Sequence, residues 1–241
     1  MIALIQKRAG EIATTNGHCA FIGFRERGHE VRFFEAAAFD DIELTGEMLV
    51  VGGVPIIQKA LSKLGIPFPS LPSLPPPLGE YAKRRIWEAT LKDVRELVDS
   101  GKAVFIKPAA NKLKQFPGHV IRNYADLAVT AGIDGGTSVV CADVLEMTSE
   151  YRVYVTNGAV VGCKHYWGDF RKFPDFSFID STVAAFDQAP RGFAIDFAVL
   201  SNGETALIEV NDGFALGSYG LQPMLYAALL EARWRELADS I

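Results

Sequence analysis

Apolar and polar positions change period along the chain. Residues 1–5 form a short apolar run that predicts a buried strand, and residues 16–27 have helical spacing that Gly28 ends. Residues 30–34 alternate as a second strand. Residues 48–51 form a third before Gly52 and Gly53, and Pro55 opens a helix that closes at Leu64 and Gly65. Strands alternating with helices in this way predict a small parallel α/β unit. The proline-dense stretch 67–78 suits neither a helix nor a central strand, so it predicts a stiff connector that divides the chain into 1–78 and 79–241.

Beyond that division the spacing predicts a helix over 80–100, a strand over 103–107 and a polar loop over 108–118. From residue 138 the period becomes two. Strands are predicted over 138–144, 151–155 and 159–167, the last pair joined by the hairpin turn Asn157-Gly158. Residues 168–178 are charged and aromatic and have no period. A helix near 182–186, strands over 193–200 and 205–210 across the turn Ser201-Asn202-Gly203, and an amphipathic helix over 221–238 follow. The fold class expected is α/β and α+β: a small α/β lobe, then a larger region built on antiparallel sheet.

Composition narrows the function classes. With 241 residues, 49% of them hydrophobic and 22% charged, the chain is neither disordered nor a disulfide-stapled miniprotein. A net charge of -5 with no long Lys/Arg run argues against nucleic acid as the main partner. Cys19, Cys141 and Cys163 are odd in number and far apart, which predicts reduced thiols and a cytoplasmic location. No apolar run approaches the roughly 20 residues that span a bilayer, so no membrane association is expected.

Three constellations carry candidate chemistry. Asp196 interrupts the apolar run 193–199, and Glu209 and Asn211 share one face of the following strand while Ile208 and Val210 point the other way. Acids and an amide in such a sheet need a partner, and a hard cation that keeps waters and phosphate oxygens suits them, Mg²⁺ above all. Taken alone, the same residues also read as a turn-capping Asp196 with Glu209 and Asn211 in solvent. Lys107 closes the strand before Pro108, and the loop behind it offers Asn111, Lys112, Lys114 and Gly118 to a polyphosphate; a Lys at a strand edge also serves solubility alone. Neither a P-loop nor a Rossmann glycine pattern is present. Arg152 alternates with apolar residues and so faces away from the core, placed to clamp a carboxylate or phosphate or to form a surface ion pair with a neighbouring strand.

In their order and spacing these elements resemble the ATP-grasp superfamily, in particular its small carboxylate-amine ligases, from about residue 84 to residue 219. The resemblance implies an ATP-grasp fold behind a small N-terminal pre-ATP-grasp lobe, with ATP and Mg²⁺ as cofactors. It implies that Lys107 holds the α- and β-phosphates and that Lys114, on a closing loop, contacts the triphosphate. Asp143, Val144 and Leu145 stand where the adenine hinge should be, Glu150 where the ribose acid should be, and Asp196, Glu209 and Asn211 where the metal ligands should be. The family's early Lys, on a helix before the first nucleotide strand, corresponds to Arg84, with Arg85 as the alternative. Position 194 is Ala where relatives often carry a basic residue, and Arg152 or Arg191 stands in for it.

The activity so implied is ATP-dependent joining of a carboxylate to an amine through an acyl phosphate that Arg152 steadies. The substrates are small molecules or peptides; the oligomeric state is left open, a homodimer being compatible. The irregular segment 166–178, with Lys164 and His165 before it, would select the acceptor, with His165 a candidate general base; the same segment also reads as a loop packed by its own aromatics. The run 213–220 would shape the phosphate end with backbone N–H groups. Two rivals share the nucleotide site: a phosphotransferase that stops at a phosphorylated product, and a non-catalytic ATP-binding scaffold.

Overall fold

The computed structural model describes residues 1–12, 14–109 and 116–239. The first strand, β1 (Ile2–Arg8), turns back antiparallel onto β2 (Glu11–Ile12) and lies parallel to both β3 (Glu30–Glu35) and β4 (Met48–Val51). The crossover from β1 to β3 carries α1 (Thr15–Glu26), a short 3-10 turn lies between β3 and β4, and α2 (Val54–Lys63) follows β4. Thr14 starts α1 by accepting the Gly17 N–H at 3.0 Å, and Pro55 sits in the first turn of α2, where no N–H is needed.

The helix expected over 80–100 is instead a strand and a shorter helix, β5 (Ile86–Thr90) and α3 (Leu91–Asp99). The switch falls at Thr90, whose hydroxyl accepts the Asp93 N–H while the Asp93 carboxylate accepts the Thr90 N–H, a capping box that starts the helix there. Then come β6 (Val104–Pro108), β7 (His119–Ile121) and β8 (Ser138–Ala142), which complete an antiparallel sheet in the order β5-β8-β6-β7. Leu91, Val94 and Val98 of α3 pack on its Val104, Ile106, Val139 and Cys141.

The remaining elements are β9 (Met147–Thr156), β10 (Ala159–Gly168), α4 (Phe176–Ala184), β11 (Gly192–Leu200), β12 (Thr205–Asp212) and α5 (Pro223–Ala238). The four strands form an antiparallel sheet in the order β10-β9-β11-β12. The helix expected near 182–186 begins earlier, because Asp175 caps it by accepting the Ser177 N–H at 2.8 Å. One face of this sheet, with Val153, Val155, Phe193, Ile195, Phe197, Leu207 and Val210, closes a core against α4. The proline-dense stretch joins that core through Leu71, Leu74 and Leu78, and Ser73 accepts the Val210 N–H at 2.7 Å. It therefore covers a sheet edge that it cannot extend, rather than hanging free as a connector.

The chain divides into two compact units, Met1–Tyr81 with Met147–Ile241, and Ala82–Glu146. The units thus divide after residues 81 and 146, and the N-terminal residues share a unit with the C-terminal ones. Within the first unit one core unites Ile5, Phe24, Leu49 and Ile57 of the N-terminal lobe with Tyr154, Ala194, Tyr226 and Trp234.

Candidate active site

The sequence 193–199 sorts its side chains by face. Phe193, Ile195 and Phe197 enter the core beneath the sheet, while Ala194, Asp196 and Ala198 lie on the other face, where the two alanines leave room around the acid. On that face the register sets a row across four strands: Lys164 beside Arg152, Arg152 beside Asp196, and Asp196 opposite Glu209. Asn211 follows two residues on and donates its Nδ2 to Asp196 Oδ2 at 3.3 Å.

Arg152 meets Asp196 in a two-pronged pair, Nε to Oδ1 and Nη2 to Oδ2 both at 2.7 Å, with the two residues only 7% and 2% exposed. Its guanidinium lies over Tyr219 at 4.8 Å and near Tyr166 at 5.9 Å, and those rings stack on each other at 4.9 Å. Tyr219 holds φ at +40°, an uncommon value for a side-chain-bearing residue, in the run whose Gly217 carbonyl accepts the Tyr154 hydroxyl at 2.8 Å. The sequence does not mark these two tyrosines as partners of Arg152, because stacking between β10 and a later loop leaves no periodic signal. Of the two stand-ins for a basic residue at 194, Arg152 is the one beside Asp196. Arg191 is exposed and pairs with Asp239 at the end of α5.

Charge on this face is unbalanced. Burial, then Asp196 and Glu209, push the Glu150 carboxyl up from its ordinary value, and burial and Glu209 do the same to Asp196 against the pull of Arg152. Asp196 in turn holds Arg152 more firmly protonated. Two of these acids, Asp196 and Glu209, with the oxygen of the Asn211 amide, are a donor set that suits a hard divalent cation able to relieve their repulsion. The set fits Mg²⁺ although it holds two acids and an amide; among the described residues no group of three or more His, Cys, Asp or Glu could hold a metal.

The other unit carries the remaining candidates. Lys107 is half-buried at the end of β6, in register with Val140 of β8. Arg84 and Arg85 precede β5 in irregular backbone rather than on a helix, since the segment that would have been that helix pairs into the sheet. Arg84 donates from Nη1 to the Ala82 carbonyl at 3.1 Å, and Arg85 stacks over Trp87 at 4.8 Å. Asp143 continues the pairing of β5 with β8: its N–H donates to the Arg85 carbonyl, and its Oδ2 accepts the Arg85 N–H. Val144 and Leu145 lie just beyond, half-buried and outside the strands. Asn111, Lys112 and Lys114 fall outside the described residues.

His165, the candidate base, packs edge-on against Tyr151 at 5.1 Å, on the face away from the Arg152 row, and its buried Nε2 has no partner among the described residues. Of the aromatics in segment 166–178, Trp167, Phe170, Phe173 and Phe176 are at least half exposed, whereas Tyr166 stacks on Tyr219 and Phe178 packs edge-on against Tyr81 and Phe197.

Residues 81–229 match a family described as an ATP-grasp domain, the second family of its clade. Solved structures agree on the fold. ATP-grasp ligase PsnB complexed with minimal precursor, Mg and ADP superposes with TM-score 0.54 at 14% identity, covering 97% of both chains. D-alanine--D-alanine ligase from Bacillus anthracis complexed with ATP gives 0.59 at 14% identity, over 99% of this chain and 96% of that one. A RimK domain ATP-grasp protein from Sphaerobacter thermophilus gives 0.54 at 12% identity, over 96% of this chain and 98% of that one. No curated protein matches by sequence.

Proposed function

Because the chain belongs to this ATP-grasp domain family, we propose that it is a Mg²⁺-dependent ligase that joins a carboxylate to an amine, releasing ADP and phosphate. The observation that carries this is the register setting Asp196 opposite Glu209, with Asn211 bonded to Asp196, on a face whose reverse is solid core. Structural neighbours complexed with Mg and ADP, with ATP, and with a precursor support the substrate classes: ATP and a small-molecule or peptide pair of acid and amine. A cytoplasmic place of action accords with three cysteines free of disulfides and with the lack, among the described residues, of a helix long and apolar enough to cross a membrane.

A carboxylate resists amines because its charge repels a nucleophile and its oxygen leaves poorly. Transfer of the γ-phosphoryl group removes both obstacles, and the amine then displaces phosphate. In this reading Lys107 and Arg84 hold the α- and β-phosphates, Lys114 reaches the triphosphate from the loop, Asp143, Val144 and Leu145 meet the adenine, and Glu150 meets the ribose. Asp196, Glu209 and Asn211 would hold Mg²⁺, which when bound offsets charge on the β- and γ-oxygens. Arg152 commits Nε and Nη2 to Asp196, fixing that carboxylate, and Nη1 is its donor for the γ-phosphate or acyl phosphate.

The test is an ADP-release screen over amino acids and short peptides with mass detection of the product. Glu209→Gln is expected to melt like the parent yet lose about 10²–10³-fold in turnover, the scale of one lost transition-state contact. Undiminished turnover in that variant removes the metal assignment. ADP release that needs an acid but no amine replaces the ligase with a phosphotransferase.

A further inference from the structure

A cavity of about 120 Å³ lies within the first unit, where the C-terminal ends of β1 and β4 meet the run 213–216 that follows β12. Leu49, Val51, Phe214, Leu216 and Leu237 give it largely apolar walls, and no Asp or Glu lines it. Its polar groups lean towards donation. The N-termini of α1 and α2 contribute Thr14, Asn16, Gly17 and Gly53 to the lining, but the Gly17 N–H is held by the Thr14 hydroxyl and the Gly53 N–H by Gln6 Oε1, and Arg233, which also lines the cavity, is paired with Asp212 and Glu236, so the donors left to a ligand are on other side chains. Asn16 commits its Oδ1 to Ser218, whose N–H and hydroxyl both donate to it, which leaves the amide Nδ2 as a donor.

The decisive residue is Trp234. It lines the same cavity, is 3% exposed, and its buried Nε1–H has no partner among the described residues. Buried indole N–H groups ordinarily find an acceptor, and here the free space beside Trp234 is where an acceptor can come from. Donors at polar points and hydrocarbon elsewhere select a negatively charged oxygen on an apolar body.

We propose that this cavity binds an amino acid with an apolar side chain through its carboxylate, and that such an amino acid is the amine substrate. The second half rests on the ligase reading above. The acid to be activated must bring its carboxylate to the γ-phosphate, so a carboxylate anchored on the indole belongs to the other substrate. In the joining step the lone pair of its amine forms the C–N bond. The acyl C–O bond breaks with its electrons leaving on phosphate, and the amine proton passes to that phosphate.

Binding is measured on the full chain without nucleotide, by saturation-transfer NMR and calorimetry, with L-leucine, L-leucinamide and L-glutamate as probes. Leucine should bind, and leucinamide and glutamate at least about tenfold more weakly; Trp234→Phe, which keeps the ring but removes the N–H, should weaken leucine about tenfold. Val51→Phe enlarges another lining side chain and should abolish leucine binding with Trp234 intact, which keeps the test decisive if Trp234→Phe misfolds. Leucine bound equally by the parent and Trp234→Phe, glutamate bound as well as leucine, or no leucine binding at all each overturns the site. The two readings fail separately. Trp234-dependent leucine binding without leucine-dependent ADP release keeps the site and removes its role as amine substrate, whereas ADP release driven only by polar amines keeps the ligase and removes the cavity's role in it.

Discussion

Removing Arg152 would leave Asp196, a carboxylate 2% exposed, to the single donor of the Asn211 amide. A buried charge stripped of its partner costs about 3–5 kcal/mol, whereas neutralising both partners removes most of that cost. Arg152→Met is therefore expected to lower the unfolding free energy by about 3 kcal/mol, and the double change Arg152→Met with Asp196→Asn to recover most of it. Both proteins should lack ligase turnover. Urea denaturation decides: a double variant no more stable than the single one means that the lost packing of Arg152, not the stranded charge, is what destabilises. The faces of Asp196, Glu209 and Asn211 were legible, because strand alternation sorts Phe193, Ile195 and Phe197 from Ala194 and Ala198. The partner of Arg152 was not, since it stands 44 residues away and alternation says nothing about which strands pair.

At the level of elements, α1 and α5 meet through Gly23. A Cβ there would stand 2.0 Å from the Pro223 carbonyl oxygen. Alanine normally improves a helix by about 1 kcal/mol over glycine, but backbone cannot yield as a side-chain end can, and overpacking costs about 1–3 kcal/mol or more. Gly23→Ala is expected to destabilise, and a melting temperature at or above that of the parent would show that the two helices separate freely. The same junction holds Glu231, which accepts from Arg27 at 2.6 Å and Arg235 at 2.7 Å and lies 3.2 Å from His29 Nε2. Burial would raise its pKa, yet these cations leave it below the ordinary carboxylate value. A carboxyl depressed in the folded state adds stability above its unfolded pKa of about 4.3 and loses it as pH falls through the folded value. The destabilisation caused by Glu231→Gln should thus be larger at pH 7 than below pH 4, measured by urea unfolding at each pH; a constant difference would show that the ion pairs contribute nothing. The strand β5 escaped the sequence reading because Ile86, Trp87 and Ala89 also fit a helical stripe; only the Thr90–Asp93 box, a local signal, reveals where the helix starts.

Across the whole molecule, what sequence order separates, the fold joins. The proline-dense stretch looked like a boundary because proline ends both kinds of regular element, yet the residues before it do not form a core of their own. Ile5, Phe24, Leu49 and Ile57 share theirs with Tyr226, Leu229 and Trp234 of α5, and Ser73 and Leu78 close the edge and core of the β10-β9-β11-β12 sheet. Such joins depend on contacts between distant segments, which periodicity within a window cannot report. Residues 79–241 expressed alone would therefore expose the inner face of α5 and one edge of β12. Burial is worth roughly 25 cal/mol per Å² of apolar surface, and domain stability is only about 5–15 kcal/mol, so losing that cover should exceed what the fragment can sustain. It is expected to bind a hydrophobic dye and to unfold without a cooperative transition in calorimetry, while adding residues 1–78 as a separate chain restores part of the transition. A fragment that melts cooperatively by itself would mean that the N-terminal lobe is an independent attachment rather than half of the core.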